Sequence, residues 1–279
     1  MKSLRIGCVK YLNARPLIRG WADEIVLDHP SALCLQLARG DLDVALVSSF
    51  EFLRNPIYRI VDDVSISSDG PVYSVVVAHR GEIADIEAIE LDPAAETSGN
   101  LLRCLLAELN LNPRLTRPSA AVGGRVLTRG DNLRLGTPKA FASRQAGPTP
   151  RTAQLFIGDG AIRFRQEHAN EFQFWDLGEQ WKRLVGLPFV YALWLVRPEL
   201  ADAKPIADRL RALRDENLAN IDKLIADEKD FDRAFCARYY EDHLRFTFGD
   251  RERQGLRTFQ QLCGNYGLAP KREVAFATV

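Results

Sequence analysis

Apolar and polar positions alternate in a regular rhythm over the first 80 residues. Leu4–Val9 is a short apolar run that predicts a strand. Pro30-Ser31 then opens a stretch carrying Leu33, Leu35 and Leu37, and Gly40 closes it; proline at the start and glycine past the end predict a helix between them. Asp43–Val47 (DVALV) predicts a second strand. Ser48–Glu51 has the S-x-x-E spacing of a capping box and predicts another helix start. Tyr73–Ala78 (YSVVVA) predicts a further strand. This βαβα order implies a parallel, doubly wound sheet.

A second α/β segment follows. Glu87–Leu91 predicts a strand, and Thr97-Ser98 precede a helix with Leu101, Leu102, Leu105, Leu106 and Leu109 on one face. Residues 112–150 hold many of the prolines and glycines and predict loops with one or two short elements. Leu155–Ile157 predicts a short strand that ends in Gly158-Asp159-Gly160. Phe189–Val196 (FVYALWLV) is long enough for a strand crossing between lobes. From Ile206 onward the apolar residues fall near a helical period, including Leu210, Leu213, Leu224, Leu256, Phe259 and Cys263. Crossings near residues 78 and 190 imply two lobes, one from 1–78 plus 191–279 and the other from 79–190. A ligand cleft is expected between them.

Composition narrows the class. The chain has 279 residues, 46% hydrophobic and 27% charged, with 37 basic and 37 acidic residues. That balance carries no bias toward nucleic acid or an anionic membrane. Five cysteines, an odd number with no C-x-x-C pair, argue against a disulfide frame or a cysteine zinc site and for buried thiols in a reducing compartment. No apolar stretch reaches the roughly 20 residues of a membrane span, and no apolar leader segment precedes Cys8. The expected location is the cytoplasm, as a monomer or homodimer.

The polar residues of interest cluster at strand ends, where α/β sheets bind ligands. Tyr11, Asn13 and Arg15 follow the first strand, and Ser48-Ser49 follow DVALV. The Ser65–Pro71 stretch, with Ser68 and Gly70, leads toward the next strand. Thr97-Ser98 head the middle helix, Gly158-Asp159 follow LFI, and Leu187-Pro188 precede the FVYALWLV run. Hydroxyls, helix N-terminal N–H groups and one arginine suit a carboxylate ligand. Each also has a plainer explanation. Ser48 and Thr97 could be N-caps, SSDGP a turn, Asp159 a helix cap and Arg15 a surface residue. His29, His79, His168 and His243 fall outside these motifs, and no metalloprotease, nucleophile-elbow or phosphate-loop motif occurs.

The series IGCVKYLNARPL (6–17), GDLDVALVSSFEFLR (40–54), ISSDGPVYSV (66–75), TS (97–98), IGDGAI (157–162) and DLGEQW…GLPFVYALW (176–194) resembles the chorismate dehydratase family of futalosine-route menaquinone biosynthesis. The resemblance implies an α/β fold of the two-lobed type II periplasmic-binding-protein kind, with two mixed sheets flanked by helices and an interdomain cleft. It implies a carbon–oxygen lyase that turns chorismate into 3-[(1-carboxyvinyl)oxy]benzoate and water without a cofactor. In that reading Asn13 orients the substrate while the substrate's own enolpyruvyl carboxylate takes the C3 proton, and Asp159 is the alternative acid or base. Tyr11, Arg15, Ser48, Ser49, Ser68, Gly70, Thr97, Ser98, Gly158, Leu187 and Pro188 would bind substrate. The chain departs from the family at Glu96, where an arginine is expected ahead of Thr97-Ser98. Two other readings remain: a cytoplasmic binding protein or sensor for a small carboxylate, and the related naphthoate synthase, which would be expected to use a histidine base.

Overall fold

The computed structural model of the protein describes residues 4–117, 151–273 and 275–279. In chain order it has β1 (Ile6–Val9), a 3₁₀ turn (Leu12–Leu17), β2 (Ile25–Asp28), α1 (Pro30–Arg39), β3 (Val44–Ser48), α2 (Ser49–Arg54), β4 (Arg59–Ser68) and β5 (Val75–His79). Then come β6 (Ala88–Glu90), α3 (Glu96–Glu108), β7 (Arg114–Thr116), β8 (Thr152–Ile157), α4 (Gly158–Glu167), β9 (Gln173–Asp176), α5 (Leu177–Val185) and β10 (Phe189–Val196). Helices α6 (Lys204–Leu218), α7 (Ile221–Ile225) and α8 (Arg233–Arg238), a π-helical turn (Tyr239–His243) and α9 (Asp250–Asn265) complete it.

The strands form two mixed five-stranded sheets, ordered β2-β1-β3-β10-β4 and β7-β6-β8-β5-β9. β1 lies between two parallel partners, which is why all four of its residues are apolar or small and buried. α1 begins on Pro30 and ends at Gly40, whose φ of 81° lets its N–H reach back to the last turn. α1 packs on β3, α6 on β4 and α9 on β10, while α3 packs on both α5 and α9. Trp181, Trp194, Phe189 and Phe259 are fully buried among these layers, each contributing on the order of 2–3 kcal/mol of apolar burial. No described helix is long and apolar enough to cross a membrane.

Several elements differ from the sequence expectations. Ser48 precedes α2, but its hydroxyl bonds to Thr97 and Glu51 pairs with Arg54, so the S-x-x-E spacing makes no capping box. Ser65–Ser68 is not a loop; it is the end of β4. The serines are tolerated there because the Ser65 hydroxyl donates to the Thr247 carbonyl and Ser67 pairs with Arg245, which covers the open sheet edge. β10 does not span the lobes. It lies inside the first sheet, antiparallel to β3 and β4, with Leu193 opposite Val47. β5 pairs with β8 and β9, so residues 75–78, expected in the first lobe, belong to the second sheet. We place the lobe division in the connection 69–74 and in the segment 177–188, which contains α5. Thr97 and Ser98 lie inside the first turn of α3, which starts at Glu96. Of the segment 112–150, Arg114–Thr116 forms a strand and residues 118–150 lie outside the described ones.

Candidate active site

A cavity lies between the two sheets, and the non-atom space in it, open solvent included, is about 610 Å³. The first sheet supplies Val9, Val47, Ser48, Ile66, Tyr191 and Ala192, and the chain after β1 adds Tyr11 and Asn13. The second supplies Val75 and Ile157, together with Glu96, Thr97 and Ser98 from α3 and Gly158 from α4. Val72 and Ser74, in the connection between sheets, close it.

The polar groups are placed by the ends of secondary structure. The 3₁₀ turn after β1 carries Asn13, whose Oδ1 is buried with no hydrogen-bond partner among the described residues. Ser48 ends β3 and bonds across the cleft to the Thr97 hydroxyl, which also accepts the Phe50 N–H at 3.2 Å. Ser98 lies beside Thr97 in the first turn of α3, where backbone N–H groups lack helical partners and attract anions. Gly158 has φ +57°, and a Cβ there would lie 3.0 Å from the Tyr11 ring, so only glycine fits. The Ser74 hydroxyl accepts a 2.6 Å hydrogen bond from Tyr239, a residue of the π-helical turn.

Burial governs the electrostatics. It pushes the Tyr11 phenol well above its ordinary value, with Asp92 and Asp159 nearby adding to the effect. It does the same to Tyr191, whose hydroxyl bonds to Ser68 at 3.1 Å. Among the described residues the wall carries one carboxylate, Glu96, and no lysine or arginine. Burial raises the Glu96 pKa and Glu51 adds to it, against the pull of Arg54. Cys34, Glu51 and Glu96 present donor atoms within 4.8 Å of one another, close enough for a metal ion, but Arg54 pairs with both carboxylates.

The cavity thus brings together Tyr11, Asn13, Ser48, Thr97, Ser98 and Gly158 from the expected set. The others do not line it. Arg15 turns to Glu228 and Asp230. Ser49 is wholly buried and donates to the Val190 carbonyl at 2.7 Å. Ser68 stands behind Tyr191 and donates to the Gly70 carbonyl at 3.0 Å. The Pro188 carbonyl accepts from the Trp181 indole, so Leu187-Pro188 serve the turn between α5 and β10. Asp159 accepts the Leu12 N–H at 2.8 Å. None of the four histidines lines the cavity. Sequence reasoning missed Ser74 and Tyr191 as wall residues, and singled out Glu96 only as a reversed charge beside the expected anion site. Ser74 lay within the quoted ISSDGPVYSV series, whereas Tyr191 is hidden in an apolar run.

Two mixed sheets flanked by helices, with a largely apolar cavity carrying a few polar groups between them, define a two-lobed fold of the periplasmic-binding-protein kind. A protein of Archaeoglobus fulgidus shares it with a TM-score of 0.68 at 17% identity, over 95% of this chain and 98% of that one. So does the alkanesulfonate-binding protein of Xanthomonas axonopodis pv. citri bound to MOPS, with a TM-score of 0.64 at 16% identity, over 99% and 97% of the two chains. At these identities the likeness is one of fold. The model of the menaquinone biosynthesis family matches residues 4–135 and 137–265, and the chain belongs to that family. It is also 26% identical over 272 residues to the chorismate dehydratase of Thermus thermophilus, covering 95% of this chain and 96% of that protein.

Proposed function

We propose that the protein is a chorismate dehydratase that forms 3-[(1-carboxyvinyl)oxy]benzoate and water without a cofactor. The observation that carries the reading is Asn13: a buried amide oxygen with no described partner, on a residue that lines the cavity between the two sheets. Leaving such an atom unpaired costs on the order of 1–3 kcal/mol, a cost that a ligand donor removes. Chorismate offers a hydroxyl to Asn13, and its two carboxylates suit the hydroxyls of Ser48, Thr97 and Ser98 and the open turn of α3. The likeness to the Thermus dehydratase across nearly the whole chain supports the same assignment.

The elimination removes the ring C3 proton and the C4 hydroxyl, and the product ring is aromatic. Once the geometry is set the step is strongly downhill, so orientation supplies much of the acceleration. The enolpyruvyl carboxylate of the substrate takes the proton, and the wall hydroxyls hold the departing oxygen. Asp159, committed to Leu12, is not needed as a base.

Purified protein incubated with chorismate, without added metal or nucleotide, is followed by mass spectrometry. Product at the dehydrated mass with the enolpyruvyl group retained is expected. Unchanged chorismate with thermal stabilisation of the protein would establish a binding protein instead. Asn13→Ala with undiminished turnover would remove Asn13 from the mechanism.

A further inference from the structure

Glu96 is the first residue of α3, at the end of the helix whose free N–H groups form an anion seat in the cavity wall. A carboxylate in that place repels an incoming carboxylate. The compensating charge comes from the other lobe. Arg54, at the end of α2, pairs with Glu96 across the cleft and with Glu51 three residues earlier in its own helix. Glu51 is buried, with 2% of its side chain exposed, so it fixes the guanidinium from behind independently of Glu96. Cys34, beside the two glutamates, stays a neutral thiol because burial and both acids push its pKa up to about 12. Arg54 is therefore tied to the seat through a wall residue.

We infer that Arg54 is the specificity-determining cation of this cavity: by pairing with Glu96 it sets the charge at the α3 seat and so admits a ligand carrying a carboxylate there. The inference rests on the dehydratase reading, which supplies the ligand.

The test compares wild-type protein with Arg54→Gln, Glu96→Gln and the double variant, measuring KM and kcat for chorismate and the thermal midpoint without ligand. A purely structural ion pair is broken equally by either single change, so both would shift KM in the same direction. A charge-setting role gives opposite signs. Arg54→Gln raises KM about tenfold and Glu96→Gln lowers it, as expected for one unit charge a few ångströms away in a partly screened site. The double variant returns to within about threefold of wild type, and Arg54→Lys, which keeps the charge, rescues most of the Arg54→Gln loss. The larger share of each change falls on KM, not kcat. Glu96→Gln alone keeps the test decisive if Arg54→Gln does not fold. Singles that move KM together, or not at all, overturn the inference while leaving the dehydratase reading in place. If chorismate binds without turnover, the dehydratase reading fails and the same signs in Kd sustain the inference. Wild-type protein that neither converts chorismate nor is stabilised by it overturns both.

Discussion

Asp159 Oδ1 accepts a hydrogen bond from the backbone N–H of Leu12 at 2.8 Å, 147 residues away in sequence. A residue in the first turn of α4, in the second lobe, thus caps the 3₁₀ turn that carries Asn13 in the first. That turn has no side-chain cap of its own. The carboxylate closes the cleft and fixes the turn in one contact.

This separates two roles for Asp159 experimentally. An asparagine keeps an acceptor oxygen for Leu12, so Asp159→Asn should retain turnover within about tenfold and most of the stability. Asp159→Ala leaves the N–H unpaired, a cost of about 1–3 kcal/mol, and frees the turn beside Asn13. Its thermal midpoint and kcat/KM should both fall. An Asp159→Asn protein that binds chorismate normally but does not turn it over would make Asp159 the base and refute the capping role.

Stability should decline as pH rises above the ordinary carboxylate range. Burial raises the pKa of Asp159, Glu96 and Asp92 in the folded protein. Each is then protonated at a higher pH folded than unfolded. The folded form binds more protons in the window above the ordinary carboxylate value of about 4, and its stability falls as pH rises through that window. Asp69 acts in the opposite sense at lower pH. Burial pushes it up, but Lys182, Arg251 and Arg245 outweigh that, and the stability it contributes is lost below its ordinary value. Thermal midpoints should fall as pH rises through the window above about 4, the ordinary carboxylate value, and Asp159→Asn should flatten that decline. A midpoint that climbs steadily to pH 8 refutes this.

The fold was legible where sequence pattern and burial coincide. β1 and β3 are apolar runs because both of their faces are buried, and α1 is framed by Pro30 and Gly40. β4 was not, because Ser65, Ser67 and Ser68 look like a loop until the later chain satisfies them from the edge. The same non-local pairing hid which of the polar residues line the cavity. Arg15 suits a ligand carboxylate in sequence, yet Glu228, more than two hundred residues on, claims it. Asn13 and Thr97-Ser98 were readable because they fall at element ends that face the cleft. Glu96 was read as a departure from a family pattern, while its partner Arg54 could be found only once the two lobes were set against each other.

Asp176 should be among the least replaceable acids. Its carboxylate caps α5 by accepting from Gly178 and Glu179, and it also accepts the N–H groups of Val72 and Tyr73 in the connection between sheets. One side chain therefore anchors a helix start and the cavity-closing segment that holds Ser74. Asp176→Ala strands four buried or half-buried donors, and a loss of about 3 kcal/mol or more is expected. Urea unfolding measures it; a loss below about 1 kcal/mol, the value of a simple exposed cap, would show that the connection is held by other contacts.

Tyr239 tests whether the π-helical turn serves the cavity. The extra residue of such a turn re-aims side chains, and these turns recur at functional sites. Here the Tyr239 hydroxyl donates to Ser74 Oγ at 2.6 Å, and the Tyr240 hydroxyl donates to the Leu12 carbonyl at 3.0 Å. Because the Tyr239 proton already occupies the Ser74 oxygen, the Ser74 proton is free to donate into the cavity, strengthened by the bond behind it. Tyr239→Phe keeps the ring stacked on Phe235 and removes only that donor. Its stability should fall by about 1 kcal/mol, while kcat/KM for chorismate falls by more than that destabilisation accounts for. In a Ser74→Ala background the same change should have little further effect on kcat/KM, since residues acting through one contact are not additive. Independent, multiplying losses from the two changes would show that Tyr239 supports the fold without acting through Ser74.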